Sequence, residues 1–221
     1  MAAKKHFVCV AGNIGSGKTT VANIIESIFN FKKHEEVVEG NPYLPLFYKD
    51  MKAWSYKIQR YFLMTRFIAH ENISMGSQSC VQDRSIYEDM EIFAPLQIKI
   101  GNFTEDQEKR YKTFCKLVYD EIKPPDLLIF LRTSLPVLRQ RIAKRGRDYE
   151  KNLADPKDTY MEELQKFYDR WISRYNLGPK LVIDTDKLNF VENPEHVKLL
   201  INQIKSALMR KEEKLGTFVK K

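Results

Sequence analysis

The segment Gly12-Asn13-Ile14-Gly15-Ser16-Gly17-Lys18-Thr19-Thr20 carries the spacing GxxxxGK[ST] in full. It follows an apolar run, His6 to Ala11, and opens an amphipathic stretch from Lys18 to Phe29. In that strand–helix context the spacing forms a loop that cradles phosphates. Glycines let the backbone wrap tightly and aim N–H groups inward. The helix that follows adds positive potential at its N-terminus. The chemistry is nucleotide handling, with Gly12 to Thr20 as the nucleotide site. Lys18 is expected to reach the β- and γ-phosphates, and the Thr19 hydroxyl to ligate Mg²⁺. The chain has no NKxD motif of the kind that reads guanine in GTPases.

Three further groups supply the acceptor side of such a reaction. Glu36 belongs to a short apolar run, Glu36 to Val38, the second strand candidate, and stands near a strand end. A carboxylate beyond the carboxyl end of a strand can take the proton of an attacking hydroxyl. Glu35 and Glu39 are equally close, and composition does not choose among the three. Asp83 ends the run Ser79 to Gln82 and suits Mg²⁺, while Arg84 beside it can hold a transferring phosphate; the plain alternative for Asp83 is a helix cap. Arg139, Arg141, Lys144, Arg145 and Arg147 form a basic cluster. The Arg145-Gly146-Arg147 break reads as an Arg-rich lid, able to close over phosphates, rather than as a solvated helix face.

Those residues need a scaffold, and the hydrophobic pattern provides one. Apolar runs at His6–Ala11, Glu36–Val38, Ser79–Gln82, Asp126–Leu131 and Lys180–Ile183 read as strands. Helical patterns lie at Lys18–Phe29, Leu46–Ile73, Ile86–Ile100, Glu105–Ile122, Pro136–Lys144, Lys157–Tyr175 and Glu195–Arg210. This alternation predicts an α/β fold, a five-stranded parallel sheet flanked by helices with right-handed crossovers, in one domain over 1–221. Asp155-Pro156 and Asn193-Pro194 are expected to start helices, and Pro124-Pro125 to close one. The chain has 221 residues, 43% hydrophobic and 30% charged, with net charge +8. Charges of both signs are interspersed, which favours a phosphate ligand and solubility over nucleic-acid binding. Cys9, Cys80 and Cys115 lack metal or disulfide spacing. No apolar stretch is long enough for a membrane span and no leader pattern is present, so the expected compartment is the cytoplasm.

Taken together, GNIGSGKTT, EVVEGNPYL, FYKDMKAWSYKIQRYFLMTR, QDRSIYEDMEIFA and RIAKRGRDYE resemble the deoxyribonucleoside kinase family, in the branch of deoxyadenosine, deoxyguanosine and deoxycytidine kinases. The likeness runs from about residue 7 to residue 175. It implies a P-loop kinase fold, ATP and Mg²⁺ as cofactors, a homodimer, and a deoxyribonucleoside as acceptor, deoxyadenosine first. It implies Glu36 as the base, although Glu-Val-Val replaces the more frequent Glu-Pro-Val. Asp83 is then implied at the metal with Thr19, and Arg84 at the 5′-oxygen and phosphates. Tyr48 and Glu150 match the pair that grips the sugar 3′-hydroxyl. Gln59 matches the amide at the base edge, Phe93 the stacking ring, and Arg66 with Asp89 the polar pair deep in the pocket. Arg141, Arg145 and Arg147 match the lid. Without the resemblance, Tyr48 and Phe93 are plain core aromatics, Gln59 and Arg66 exposed helix residues, and Asp89 half of a surface ion pair. Two rival readings are a nucleoside monophosphate kinase of the thymidylate type and a non-catalytic nucleotide-dependent regulator or nucleic-acid-binding protein.

Overall fold

The computed structural model describes residues 5–35 and 41–218, with side chains to residue 209. Glu36, Glu39 and the Glu36–Val38 strand reading lie outside the described residues. Five parallel strands form one sheet in the order β2-β3-β1-β4-β5: β1 (Phe7–Gly12), β2 (Lys32–His34), β3 (Cys80–Asp83), β4 (Leu127–Arg132) and β5 (Lys180–Asp184). β1 lies centrally, with Val10 opposite Asp83 on one side and Gly12 opposite Leu131 on the other. The short edge strand β2 is built from Lys-Lys-His, which has no apolar pattern to announce it.

The period-2 alternation of β1 divides the core. Val8 and Val10 face a layer formed with Val21, Ile25, Leu200 and Ile204, which belong to α1 (Lys18–Phe29) and, later in the chain, to the C-terminal helix Pro194–Phe218. Phe7, Cys9 and Ala11 face the larger layer. Its helices are α2 (Leu44–Lys49), α3 (Met51–Met75), α4 (Ile86–Glu88), α5 (Ala94–Lys99), α6 (Glu105–Glu121), α7 (Leu135–Arg145) and α8 (Tyr160–Arg174); the C-terminal helix is α9. Covering both faces is what an all-parallel sheet requires.

Local chemistry sets the boundaries. The pattern expected as one helix over 46–73 is two, because Asp50 turns extended (φ −148°) and caps α3 by accepting from the Ala53 N–H at 3.0 Å. α4 and α5 are joined without a break by a π turn, Asp89–Phe93. α6 stops before Pro124-Pro125, as expected. Asn193 caps α9, its side chain accepting from the Glu195 N–H at 3.0 Å. Asp155-Pro156 does not open a helix: a 3₁₀ segment, Asp148–Ala154, precedes it, and α8 starts only at Tyr160. Asp155 and Asp158 spend their carboxylates on the N–H groups of Lys157 and Tyr160, which holds a turn there instead.

Gly15 shows how closely the phosphate loop meets α7. Its φ is +83°, and a Cβ there would lie 3.0 Å from Ile142 Cγ1 and 3.1 Å from the Leu138 carbonyl oxygen. Gly15→Ala therefore strains the backbone and pushes the loop off α7. It should lower stability by roughly 1–3 kcal/mol, read as a drop in the thermal midpoint. An unchanged midpoint would show that the loop does not depend on this contact.

Candidate active site

Because the sheet is parallel, the loops after β1, β3, β4 and β5 leave from one edge, where ligands bind in such folds. The glycine loop follows β1. Lys18 is buried, and its Nζ donates to the carbonyls of Gly12 at 2.9 Å and Asn13 at 3.0 Å. Asn13 is also held, its amide donating to Gln165 of α8 at 3.1 Å. α1 starts from Gly17, which offers no side-chain cap, and its first turn carries no acid of its own.

β3 brings the next two candidates to the same place. Thr19 Oγ1 donates to Asp83 Oδ2 at 2.6 Å. A hydroxyl and a carboxylate at the start of α1 form a hard-oxygen donor set suited to Mg²⁺, which takes few protein ligands and fills its octahedron with water and phosphate oxygens. Asp83 is not the cap of the next helix. Ser85 is, within a capping box closed by Glu88.

Arg84 has φ +70°, a left-handed conformation rare for a side chain this large. Its backbone N–H donates to the Val10 carbonyl at 2.9 Å, fixing it to β1. Its guanidinium donates to the Tyr168 hydroxyl at 2.8 Å and to Glu88 Oε1 at 3.2 Å, and lies 4.7 Å from the centre of the Phe93 ring.

A second set of buried polar side chains lies between α3 and the π turn. Arg66 and Asp89 form a hydrogen-bonded ion pair with both side chains about 95% or more buried. Burial drives Asp89 up to about 6, against the downward pull of Arg66. Gln59 stands seven residues before Arg66, on the same helix face. It is buried, and its Oε1 makes no hydrogen bond among the described residues. Phe93 packs edge to face on Tyr168 at 6.2 Å.

The basic cluster divides. Arg141 turns inward, donating to the Ser16 carbonyl at 3.3 Å and the Thr185 carbonyl at 2.7 Å, so it joins the glycine loop to the segment after β5. Arg139 reaches the Asp158 carbonyl at 3.0 Å. Arg145 and Arg147 both pair with the buried Glu150, the second at 3.5 Å. Tyr48 stacks on Tyr149, next to Glu150, with ring centres 5.8 Å apart.

Comparison with known proteins gives this edge of the sheet its family. Residues 8–209 match the deoxynucleoside kinase family. The chain belongs to the deoxynucleoside kinases. A deoxyguanosine kinase of Lactobacillus johnsonii is 34% identical over 207 residues, covering 91% of this chain and 92% of that protein. A deoxyadenosine/deoxycytidine kinase of Bacillus subtilis is 34% identical over 213 residues, covering 96% and 97%. The structure of a deoxyadenosine kinase from M. mycoides with bound dATP superposes with a TM-score of 0.77 at 28% identity, covering 90% of this chain and 99% of that one.

As a deoxynucleoside kinase the protein is a phosphotransferase. Its described site candidates fall into four groups: the glycine loop with Thr19, Asp83 and Arg141, the Arg84–Phe93 contact, the buried residues Gln59, Arg66 and Asp89, and the Arg145–Arg147–Glu150 cluster beside Tyr48. Gln59 and Arg66 are buried, not exposed helix residues, and the Asp89 pair is not a surface one. Sequence reasoning passed over Glu88, Tyr168 and Gln97. Glu88 was readable, since Ser85-Ile86-Tyr87-Glu88 is a capping-box spacing. Gln97 is fully buried between α3 and α8, accepting from Ser55 Oγ at 2.6 Å and donating to the Tyr160 hydroxyl at 3.3 Å. Nothing in its neighbourhood signalled that.

The Asp89 proton links to stability. Its ordinary value is 3.8 and its folded value about 6, so the folded kinase holds this proton more tightly than the unfolded chain. The stabilisation is complete below the unfolded value and is lost as pH rises through the folded one. Relative to Asp89→Asn, the wild type should lose roughly 1–3 kcal/mol between pH 4 and 7, measured by urea unfolding. Parallel stability curves for the two proteins would contradict it.

Proposed function

We propose that this kinase transfers the γ-phosphate of ATP to the 5′-hydroxyl of a deoxyribonucleoside, deoxyadenosine first, with deoxyguanosine and deoxycytidine close behind. The observation that carries the reading is the buried Arg66–Asp89 pair on the same face of α3 as the buried Gln59 amide, whose oxygen has no hydrogen bond among the described residues. A buried ion pair is costly to desolvate, and polar base edges give these groups partners. The 5-methyl group of thymine would instead meet two charges. The names of the relatives, deoxyguanosine kinase and deoxyadenosine/deoxycytidine kinase, support the same choice of bases.

In this reading the glycine loop N–H groups and Lys18 hold the phosphates, and Gly12 to Thr20 wrap them. Thr19 and Asp83 would hold Mg²⁺, which when bound neutralises charge on the phosphates. Arg84 holds the 5′-oxygen and the moving phosphoryl group. Arg145 and Arg147 serve as the lid and Arg141 fastens the loop behind it. Phe93 stacks on the base, and Tyr48 with Glu150 take the 3′-hydroxyl. Glu36 accepts the 5′-proton. The chain forms one domain over 1–221, and a homodimer is supported by Met64 and Ile68 of α3 and Leu117 of α6, exposed apolar residues on packed helices. Among the described residues no helix is long and apolar enough to cross a membrane. Three free thiols accord with a cytoplasmic setting.

A panel of nucleosides and nucleoside monophosphates with ATP tests the reading. Deoxyadenosine, deoxyguanosine or deoxycytidine should be phosphorylated best and thymidine poorly. A 2′,3′-dideoxynucleoside should fall behind its deoxy form, because a site built around a hydroxyl rejects the analogue that lacks it. Preference for a monophosphate acceptor or for thymidine would overturn the assignment. Within the site, Glu36→Gln should lower kcat by about 10²–10⁴-fold with nucleoside binding kept. That loss appearing in Glu39→Gln instead would move the base.

A further inference from the structure

Glu88 has no place among the groups that touch nucleotide or nucleoside, yet it is the most heavily bonded buried acid at the site. It is fully buried. Its Oε1 accepts from the Gly12 N–H at 3.2 Å, from Arg84 Nη1 at 3.2 Å and from the Tyr168 hydroxyl at 2.7 Å. Its Oε2 accepts from the Ser85 N–H at 2.7 Å. Arg84 Nη1 also donates to the Tyr168 hydroxyl at 2.8 Å, so Arg84, Tyr168 and Glu88 close a triangle. Helix capping accounts only for the Ser85 bond. The other three reach β1, the arginine before the helix, and α8.

The chemistry of the triangle favours a fixed arginine. A carboxylate is an acceptor only, so all four donors point at it without conflict. Burial, then the Glu88 charge, pushes the Tyr168 phenol well above its ordinary value, which keeps it protonated as a donor to Glu88. Arg84 is in a left-handed conformation that its bulk disfavours, so its position needs outside support. The Phe93 ring covers one face of the guanidinium, and Glu88 with Tyr168 bind its edge.

We infer that Glu88, with the Tyr168 hydroxyl, is a positioning residue that aims Arg84 at the phosphoryl group and ties it to the glycine loop through the Gly12 N–H. The inference rests on the reading of Arg84 as the phosphoryl clamp. It makes α8, the helix that follows the lid segment, part of the transfer machinery. A reacting group displaced by about 1 Å loses on the order of 10²-fold in rate, so a loosened Arg84 should show in kcat and not in nucleoside KM.

The test is steady-state kinetics on Glu88→Gln, Tyr168→Phe, Arg84→Ala and the double variant Arg84→Ala/Glu88→Gln. Glu88→Gln should lower kcat by about 10²-fold with nucleoside KM within a few-fold of wild type. Tyr168→Phe, which removes one hydrogen bond and no charge, should cost about tenfold. The double variant should be no slower than Arg84→Ala, because Glu88 has nothing left to aim. If Glu88→Gln does not fold, Tyr168→Phe decides the question by the same kcat and KM readout. Wild-type kcat in the folded variants would overturn the inference. So would a Glu88→Gln penalty that persists in full without Arg84, which marks a merely structural role. Wild-type activity of Arg84→Ala would instead overturn the underlying reading of Arg84.

Discussion

The parallel pairing of β1 with β3 sets Val10 beside Asp83, and the rest of the site is arranged around that register. The strands are hydrogen-bonded neighbours running in one direction, so both loops leave the same edge at the same height. The Arg84 N–H continues the ladder onto the Val10 carbonyl and carries the pairing one residue past the strand. Thr19 can then donate to Asp83 at 2.6 Å, and the Gly12 N–H to Glu88 at 3.2 Å. A slip of β3 by one residue would send Asp83 to the opposite face of the sheet. The same slip would move Cys80 and Val81 of β3 out of the opposite core layers they occupy, so core packing and phosphate chemistry depend on the same pairing.

Much of this was legible because it rests on short-range rules. The phosphate loop and α1 follow from glycine spacing and an amphipathic stretch, and α1 runs over the expected Lys18–Phe29. β1, β3, β4 and β5 appear within a residue or so of their apolar runs. β2 did not show, because Lys32–His34 is a polar edge strand held by backbone pairing to β3. Its three residues are polar, and none is fully buried, so no hydrophobic pattern marks it. The break at Asp50 was hidden for a related reason, since a single capping side chain interrupts an otherwise helical run. The Arg66–Asp89 pair could be named from resemblance, but its burial depends on contacts between distant segments. Glu150 shows the same limit. Its two arginine partners are near in sequence, but that its carboxylate is buried beneath them is tertiary information.

Two buried ionic groups lie near each other and are built differently. At the Arg66–Asp89 pair burial dominates and raises the acid against the pull of the arginine. Glu88 is surrounded by four donors from three elements, which supply in the interior what water would supply outside. Asp89 Oδ2 is buried without a hydrogen bond among the described residues, whereas both Glu88 oxygens accept.

The π turn at Asp89–Phe93 has a consequence for how this helix can vary. It is equivalent to one extra residue in an α-helix, with the Ala94 N–H reaching back to the Asp89 carbonyl. Upstream, Glu88 is anchored to the glycine loop and α8; downstream, Gln97 is anchored to Ser55 and Tyr160. In an unbroken α-helix each residue advances about 100°, so winding the same residues as plain α-helix would rotate one anchor by about that angle relative to the other. A straight helix of the same length therefore does not meet both sets of partners; the turn takes up the extra residue and keeps both anchors in place. The segment can shed one residue within the turn and become a regular helix with its anchors aligned, whereas one more residue would set the two ends of the same helix competing for their places.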